Sequence, residues 1–173
     1  KEAKKRGLSN NKTTPEALKV TLHKNTIGLF EDMKVMSKIE VEARYEVEIE
    51  AYIKYIQIES RVLGDIARNH IVPTAVKYQN ILIDNVKGLK EIFDEDYKDL
   101  AKEQMNLIKA ISDHIDGINS NVTKMIDERK NANNLTDISQ KAEAYCQKVK
   151  PFFGEIRYHC DKLELLVDDE VWP

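Results

Sequence analysis

The sequence predicts an all-α protein: a bundle of four long, mostly antiparallel helices that follows two short lead-in helices. Charged residues make up 33% of the 173 residues, above the usual ~25%, while Gly and Pro are scarce, at 6 and 4. Apolar residues recur at spacings of three and four over most of the chain, which is the period of a helix face. We expect one domain overall, with residues 1–36 as a lead-in segment and residues 37–173 as the long-helix bundle.

The lead-in segment contains signals for two short helices. Residues 1–13 are polar and basic, and "LSNNKTT" is typical of a loop. In "TTPEALKVTL", Thr14 is a candidate N-cap and Pro15 occupies the first helical position. "NTIGLFEDM" predicts the second short helix, with Asn25 or Thr26 as its cap.

The first long helix is predicted from a segment that at first resembles a strand. In "IEVEARYEVEIEAYI", residues 39–53, apolar and charged residues alternate, which is a strand period. However, Ser37 and Glu40 form a capping box, Glu is disfavoured in strands, and 15 residues would be an unusually long strand. We therefore predict a helix over residues 38–70. Its apolar residues form one seam and a second stripe beside it: Tyr45, Ile49, Tyr52, Ile56, Leu63 and Ile66, then Ile39, Ala43 and Val47.

A proline is predicted to interrupt the helical pattern between the first long helix and the second. Pro73 lacks a backbone N–H and crowds the carbonyl of Asn69, so the helix should kink or break there. A helical pattern resumes over residues 75–93, and "FDED" ends it. Asp94 or Asp96 is then a candidate cap for the third long helix.

The last two long helices show the clearest seams. Residues 97–130 carry a heptad-like repeat, and residues 137–167 carry another after the loop "NANNLTD". Pro151 lies inside the last seam, where we expect a bend. Short connections favour antiparallel neighbours. The two seams are Tyr97, Ala101, Gln104, Ile108, Ile111, Ile115, Ile118, Val122 and Met125, and Ile138, Ala142, Tyr145, Val149, Phe152, Ile156, His159, Leu163 and Leu166.

Charge and cysteine content exclude several classes of function. The net charge is −3 and there is no basic stripe, which argues against nucleic acid as a partner. No apolar run approaches the ~18 residues of a membrane span, and no signal peptide is visible. Cys146 and Cys160, on one predicted helix, would be about 21 Å apart, too far for a disulfide. Two unpaired thiols indicate a reducing cytoplasm. We expect the chain, which begins "KEAKKRG" without Met, to be part of something longer.

The sequence lacks the motifs of common catalytic and metal sites. Metal-binding bundles use Glu-x-x-His on facing helices, and "EIRYH" has one residue too many. His159, Cys160 and Asp161 are adjacent, so on one helix their side chains point apart and cannot hold one ion. No Gly-rich phosphate loop or Cys-x-x-Cys occurs. We predict no catalytic, cofactor-binding or metal-ligating residue in this chain.

Polar residues at core-type positions are the one unusual feature of the seams. They form a buried hydrogen-bonded layer, or the seam opens onto another surface, or it frays into solvent. His159 lies between Ile156 and Leu163, and a buried imidazole needs a hydrogen-bond partner. Its candidate partners are the other polar seam residues: Glu59, His70, Gln79 and Gln104.

Three long segments closely resemble the C-terminal part of type III glutamine synthetases, the large bacterial form of that enzyme. They are "AKKRGLSNNKTTPEAL", "IQIESRVLGDIARNHIVPTAVKYQNILIDNVKGLKEIF" and "AYCQKVKPFFGEIRYHCDKLELLVDDEVWP". The resemblance covers nearly all of the chain and is weakest over about residues 100–140.

The resemblance implies that the full enzyme ligates ammonia to glutamate with ATP and Mg²⁺ or Mn²⁺. In that family the catalytic carboxylates, the arginines and the nucleotide pocket lie in earlier domains, so no catalytic residue is assigned to this chain. The implied role is a non-catalytic structural, oligomerisation or regulatory domain, inactive alone. It would be cytoplasmic and would contact the rest of the chain and neighbouring subunits of a homo-oligomer of stacked hexameric rings. The alternative is a free-standing helical interaction or scaffold module.

Overall fold

The computed structural model describes residues 2–172, apart from the side chain of Lys4. Within this range every regular element is helical and none is a strand, which confirms the all-α class. None of these helices is long and apolar enough to span a lipid bilayer. The α-helices are α1 (Glu2–Lys5), α2 (Thr14–Lys19), α3 (Lys24–Asp32), α4 (Lys38–Ile66), α5 (Val72–Phe93), α6 (Tyr97–Leu100), α7 (Lys102–Asn133), α8 (Ile138–Ala144) and α9 (Pro151–Glu164).

The helix α2 begins one residue earlier than the sequence suggested. Its N-cap is Thr13, not the predicted Thr14, and Pro15 follows in the first turn. The reason is the position of Glu16, whose carboxylate accepts hydrogen bonds from the backbone N–H groups of Lys12 at 2.9 Å and Thr13 at 3.1 Å. Glu16 can close a capping box only with the residue three positions before it.

The predicted caps of α3 are also wrong. A short 3₁₀ turn, Val20–Leu22, leads into α3, whose N-cap is His23, without a side-chain bond. The Thr26 hydroxyl donates instead to the carbonyl oxygen of Val20 at 3.1 Å. Neither Asn25 nor Thr26 therefore caps the helix.

The capping box of α4 is confirmed. The backbone N–H and the hydroxyl of Ser37 donate to the Glu40 carboxylate at 2.7 and 2.8 Å. These hydrogen bonds, the one from the backbone first, hold the pKa of Glu40 below its ordinary value. Residues 39–53, the segment with the strand-like alternation, lie wholly inside this helix.

Pro73 does not separate two helices, so the predicted set of four long helices is wrong at this point. A π-helical turn, Ala67–Ile71, joins α4 directly to α5, giving one helical stretch from Lys38 to Phe93. In that turn the N–H of Val72 donates to the carbonyl of Ala67, five residues back. The wider π turn accommodates Pro73, which has no backbone N–H to donate and whose ring would clash with the preceding turn of a regular α-helix.

The same arrangement precedes Pro151. A π-helical turn, Tyr145–Val149, lies between α8 and α9. The N–H of Lys150 donates to the carbonyl of Tyr145 at 2.9 Å. The irregularities predicted at both prolines therefore occur as π turns in the residues just before each proline.

The connection between α5 and α7 is not capped as predicted. Asp94 has a positive φ of 44° and ends α5. Neither Asp94 nor Asp96 makes a side-chain cap. A 3₁₀ turn, Asp94–Asp96, and the short α6 fill the connection instead.

The chain divides into two compact units, which are described separately. Unit 1 comprises the residues up to Glu59 together with Glu128–Lys150. In its core the Tyr145 hydroxyl donates to Asn133 Oδ1 at 2.7 Å, and the hydroxyls of Tyr45 and Ser139 lie 2.7 Å apart. Its buried residues include Val41, Tyr45, Ile49, Tyr52, Ile56, Ala142, Tyr145 and Val149.

Unit 2 comprises Ser60–Asp127 and the residues from Pro151 onward. Arg68 donates to the carbonyl of Asn119 at 2.8 Å, and farther along the same helical stretch Gln79 donates to the carbonyl of Ile108 at 2.9 Å. The numbers rise in one partner and fall in the other, so α7 runs antiparallel to this stretch. The buried residues include Ala67, Ala75, Ile111, Ile118, Val122, Met125, Ile156 and Leu163.

Candidate functional site

The polar seam residues do not form a single buried layer, which was one of the three arrangements that the sequence left open. Glu59 and His70 are exposed, whereas Gln79, Gln104 and His159 are partly buried. Gln79 donates to the carbonyl of Ile108 and to the Ser112 hydroxyl, at 2.9 and 2.7 Å. The side-chain oxygen of Gln104 is buried without a hydrogen-bond partner among the described residues. The partly buried polar residues therefore do not share one hydrogen-bond network.

The partner of His159 is His114, which was not among the predicted candidates. His114 Nδ1 and His159 Nδ1 lie 3.0 Å apart, linking α7 to α9 inside unit 2. His114 follows the fully buried Ile111 by three residues, so the two share a helix face. This spacing is visible in the sequence, but the pairing with residue 159 depends on how α7 and α9 align.

The two imidazoles meet nitrogen to nitrogen. Their ring centroids are 5.3 Å apart and their planes are tilted by 59°, so the bonded nitrogens lie between the rings and point at each other. The ring of Tyr158 packs edge-on against both, with centroids 5.3 Å from His159 and 6.3 Å from His114. The Lys162 ammonium lies 5.6 Å from the centre of the Tyr158 ring, which is a cation–π distance.

Gly117 makes room for this arrangement. A Cβ atom built on Gly117 would overlap the ring of His159. Because the overlap involves an imidazole whose other side is held by Tyr158 and His114, the ring cannot move aside freely. The absence of a side chain at Gly117 is therefore a requirement of the histidine pair.

The hydrogen bond between the histidines limits how many protons the pair can hold. One Nδ1 must carry a proton and donate it, and the other must be bare and accept it. The accepting ring is therefore neutral. Burial lowers the pKa of His114 below its ordinary value, and the charges of His159 and Lys162 lower it further, while Asp113 acts in the opposite direction.

Two further titratable groups, Cys160 and Tyr52, are not arranged for nucleophilic chemistry. Burial raises the pKa of the Cys160 thiol to about 11, with a further contribution from Asp161, so it is protonated at neutral pH. Burial also raises the pKa of the Tyr52 hydroxyl, and the neighbouring Cys146 thiol and Glu59 carboxylate raise it further. Neither group is activated for attack.

The side chains of the "YHCD" motif diverge as the helix geometry predicts. His159 faces His114, Cys160 is buried, and Asp161 forms an exposed ion pair with Arg157 at 3.5 Å. Over residues 2–172, no three His, Cys, Asp or Glu side chains come together as a candidate metal site.

Unit 1 contains a small apolar cavity. Its volume is about 140 Å³, and it lies beside the residues that join the lead-in helices to α4. The lining is mostly aliphatic and aromatic, with few polar atoms that could fix the orientation of a ligand. The lining residues are Leu18, Thr21, Phe30, Met36, Val41, Arg44, Tyr45 and Glu48.

Comparison with known proteins places the chain in a family. Residues 1–90 match the family model of the glutamine synthetase C-terminal domain. The chain is 43% identical to a glutamine synthetase of Bacteroides fragilis over 173 residues, covering 99% of this chain and 24% of that protein. It is 28% identical to a type-3 glutamine synthetase of Dictyostelium discoideum, covering 99% of this chain and 23% of that protein.

A third relative gives the same proportions. The chain is 27% identical to a glutamine synthetase of Butyrivibrio fibrisolvens, covering 98% of this chain and 24% of that protein. It thus spans about a quarter of the length of the curated relatives it matches. The resemblance to type III glutamine synthetases that the sequence indicated is confirmed, and the chain belongs to the glutamine synthetase family as its C-terminal domain.

Proposed function

We propose that this chain is the non-catalytic C-terminal domain of a type III glutamine synthetase, and that it makes structural contacts in the assembled enzyme. Its partners are the rest of the longer chain and neighbouring subunits of a homo-oligomer. The whole enzyme would ligate ammonia to glutamate with ATP in the cytoplasm. The lead-in segment 1–36 and the long helices 37–173 would act in it as one C-terminal domain.

The observation that carries the proposed contacts is an exposed apolar face on the unit 1 part of α4. The core side of this helix buries Val41 and Ile49. On the outer side Val47, Tyr55 and Ile58 are exposed by 67%, 66% and 59%. With the small Ala51 between them, these residues follow one another at spacings of four, four and three, which is a helix seam.

Such a face needs a partner. Single exposed apolar residues are common, but several aligned along one helix mark an interaction site. The sequence placed Ile39, Ala43 and Val47 in a stripe beside the core seam, and Ile39 is in fact 77% exposed. In a chain whose relatives are about four times longer, the remaining polypeptide and neighbouring subunits are the partners available to cover it.

ATP and its metal ion would bind outside this chain. Mg²⁺ and Mn²⁺ in ATP-dependent ligation require carboxylate or other oxygen ligands. No three acidic, histidine or cysteine side chains converge in the described part of the chain, so these residues do not fit such a site. The proposed ATP and metal sites therefore belong to the part of the longer protein that precedes this domain.

The reducing environment of the cytoplasm is consistent with the two thiols. Cys146 and Cys160 are both free, the first half-buried and the second buried. Unpaired cysteines are usual where disulfides are kept reduced. This supports a cytoplasmic location for the longer protein.

The test is the size of the longer enzyme when the apolar face carries a charge. We expect Tyr55→Lys and Ile58→Glu to reduce the assembly, because a charge desolvated in an interface is unfavourable. The measurement is light scattering after size-exclusion chromatography. Glu46→Lys, an exposed position on the core-flanking side of the same helix, is the matched control. Full-sized assemblies in both variants of the apolar face would overturn the proposal.

A further inference from the structure

We propose that His114 and His159 form a proton-sharing lock between α7 and α9, which closes when at least one ring is neutral and opens when acid protonates both. The lock lies within unit 2 and is independent of the proposed function. It is a conformational device built into the domain.

The geometry admits only one proton between the rings. At 3.0 Å, the two Nδ1 atoms are at the distance of a hydrogen bond, and their position between the ring centres excludes any other direction for the shared proton. If both rings were protonated, two N–H groups would point at each other. The doubly charged pair would lose its hydrogen bond and gain a like-charge repulsion.

This head-on approach also separates the lock from a metal site. An ion bound by both nitrogens would sit to one side of the line that joins them, about 2.0–2.1 Å from each. The lone pairs would then have to converge on that point, whereas the two nitrogens point along the line itself. The arrangement fits a shared proton rather than a shared ion.

The surroundings hold the pair in place and oppose a second charge. Gly117 leaves the space that the His159 ring occupies, and Tyr158 closes the other side. Of the charged groups that act on His114, Lys162 comes from α9 and disfavours protonation, and Asp113 comes from α7 and favours it.

The π turn before Pro73 also packs against α9. It carries two basic groups. The Arg68 guanidinium is engaged by Asn119 and Thr123 of α7, and His70 is exposed. Neither is an acid that could offset a second positive charge on the histidines.

The direction of the acid effect follows from the lowered pKa of His114. At a pH above the ordinary histidine value of ~6.5, both folded and unfolded states are neutral at this residue and the lock contributes fully. As the pH falls below that value, His114 becomes protonated in the unfolded chain while it stays neutral in the folded chain. Stability is therefore lost from there down to the lowered pKa of the folded state.

The test is urea unfolding of the 173-residue chain at about pH 7.5 and about pH 5.5, a range in which histidine titrates and unperturbed carboxylates largely do not. We expect the unfolding equilibrium constant of the unmodified chain to rise on acidification, by at most about tenfold, because pH 5.5 lies about one unit below the ordinary histidine pKa of ~6.5. His114→Gln, which cannot titrate, should remove most of this rise. His70→Gln, at an exposed histidine, should leave it intact.

A second measurement keeps the proposal testable if His114→Gln does not fold. Nitrogen NMR of the histidine rings at neutral pH should find one of the pair protonated at Nδ1 and the other bare at Nδ1. Both rings protonated only at Nε2 would overturn the lock, since no proton would then lie between them. An undiminished acid effect in a folded His114→Gln variant would overturn it as well.

Discussion

At the scale of single residues, the identities of Gly117 and His159 follow from the groups packed against them. Gly117 is small because the His159 ring occupies the space next to it. The sequence correctly indicated that His159, at a core-type position, requires a hydrogen-bond partner. It did not identify His114, because a shift of α7 along α9 by a single turn would bring a different residue to that ring. Helix pattern defines faces well, but the alignment of two helices depends on packing along their full length.

The seam of α7 gives a test at the scale of one side chain. The sequence places Ile111 and Ile115 on the same seam, yet Ile111 is fully buried and Ile115 only partly. Ile111→Ala should lower the free energy of unfolding by about 2–5 kcal/mol, as expected for a truncated buried isoleucine. Ile115→Ala should lower it by clearly less.

Urea unfolding of both variants, followed by circular dichroism, would measure the difference. The paired design separates burial from helix propensity, since both variants make the same change in the same helix. Equal losses would show that the seam is buried uniformly and that the partial exposure of Ile115 has no energetic consequence.

At the scale of elements, the prolines in the sequence predicted where the helices are irregular but not which irregularity occurs there. Their positions predicted where the helices would be irregular, and π turns occur just before both Pro73 and Pro151. The pattern could not distinguish a kink from a break, because both begin with the same lost hydrogen bond. A π turn shifts the hydrogen-bond ladder by one residue and lets the helix continue, so Lys38 to Phe93 forms one stretch instead of two helices.

A proline introduced elsewhere in α5 tests whether the π turn is what allows the helix to contain Pro73 without a loss of stability. Val76→Pro places a proline in regular α5, three residues after Pro73 and without a π turn before it. We expect this variant to lose about 3 kcal/mol or more of unfolding free energy. Pro73→Ala should leave stability unchanged or raise it, because alanine fits either type of turn. A strong loss of stability in Pro73→Ala, measured by urea unfolding, would show that the proline itself stabilises the junction.

For the whole molecule, sequence predicted the class and the family more reliably than the role. Period and composition were sufficient for an all-α fold, and long matching segments were sufficient for the glutamine synthetase family. The sequence pattern assigned Val47 of the exposed α4 face to a stripe beside the core seam, and it did not identify Tyr55 or Ile58. The reason is that an apolar residue that meets a partner protein has the same pattern as one that meets the core. Only the exposure of Val47, Tyr55 and Ile58 separates the two.

The last prediction concerns nucleotide binding by the chain alone. Binding ATP tightly requires a cradle of backbone N–H groups or basic side chains for the phosphates, together with ligands for the accompanying metal ion. The described residues bring no three metal-ligating side chains together. The unit 1 cavity of about 140 Å³ is too small and too apolar for a triphosphate, and two larger open hollows near it are lined in part by carboxylates, with Glu40 in both. We therefore expect isothermal titration of the 173-residue chain with Mg²⁺ and ATP to show no binding, and activity assays to show no glutamine formation. A dissociation constant in the micromolar range would mean that the domain contributes to the nucleotide site and is more than a structural part of the enzyme.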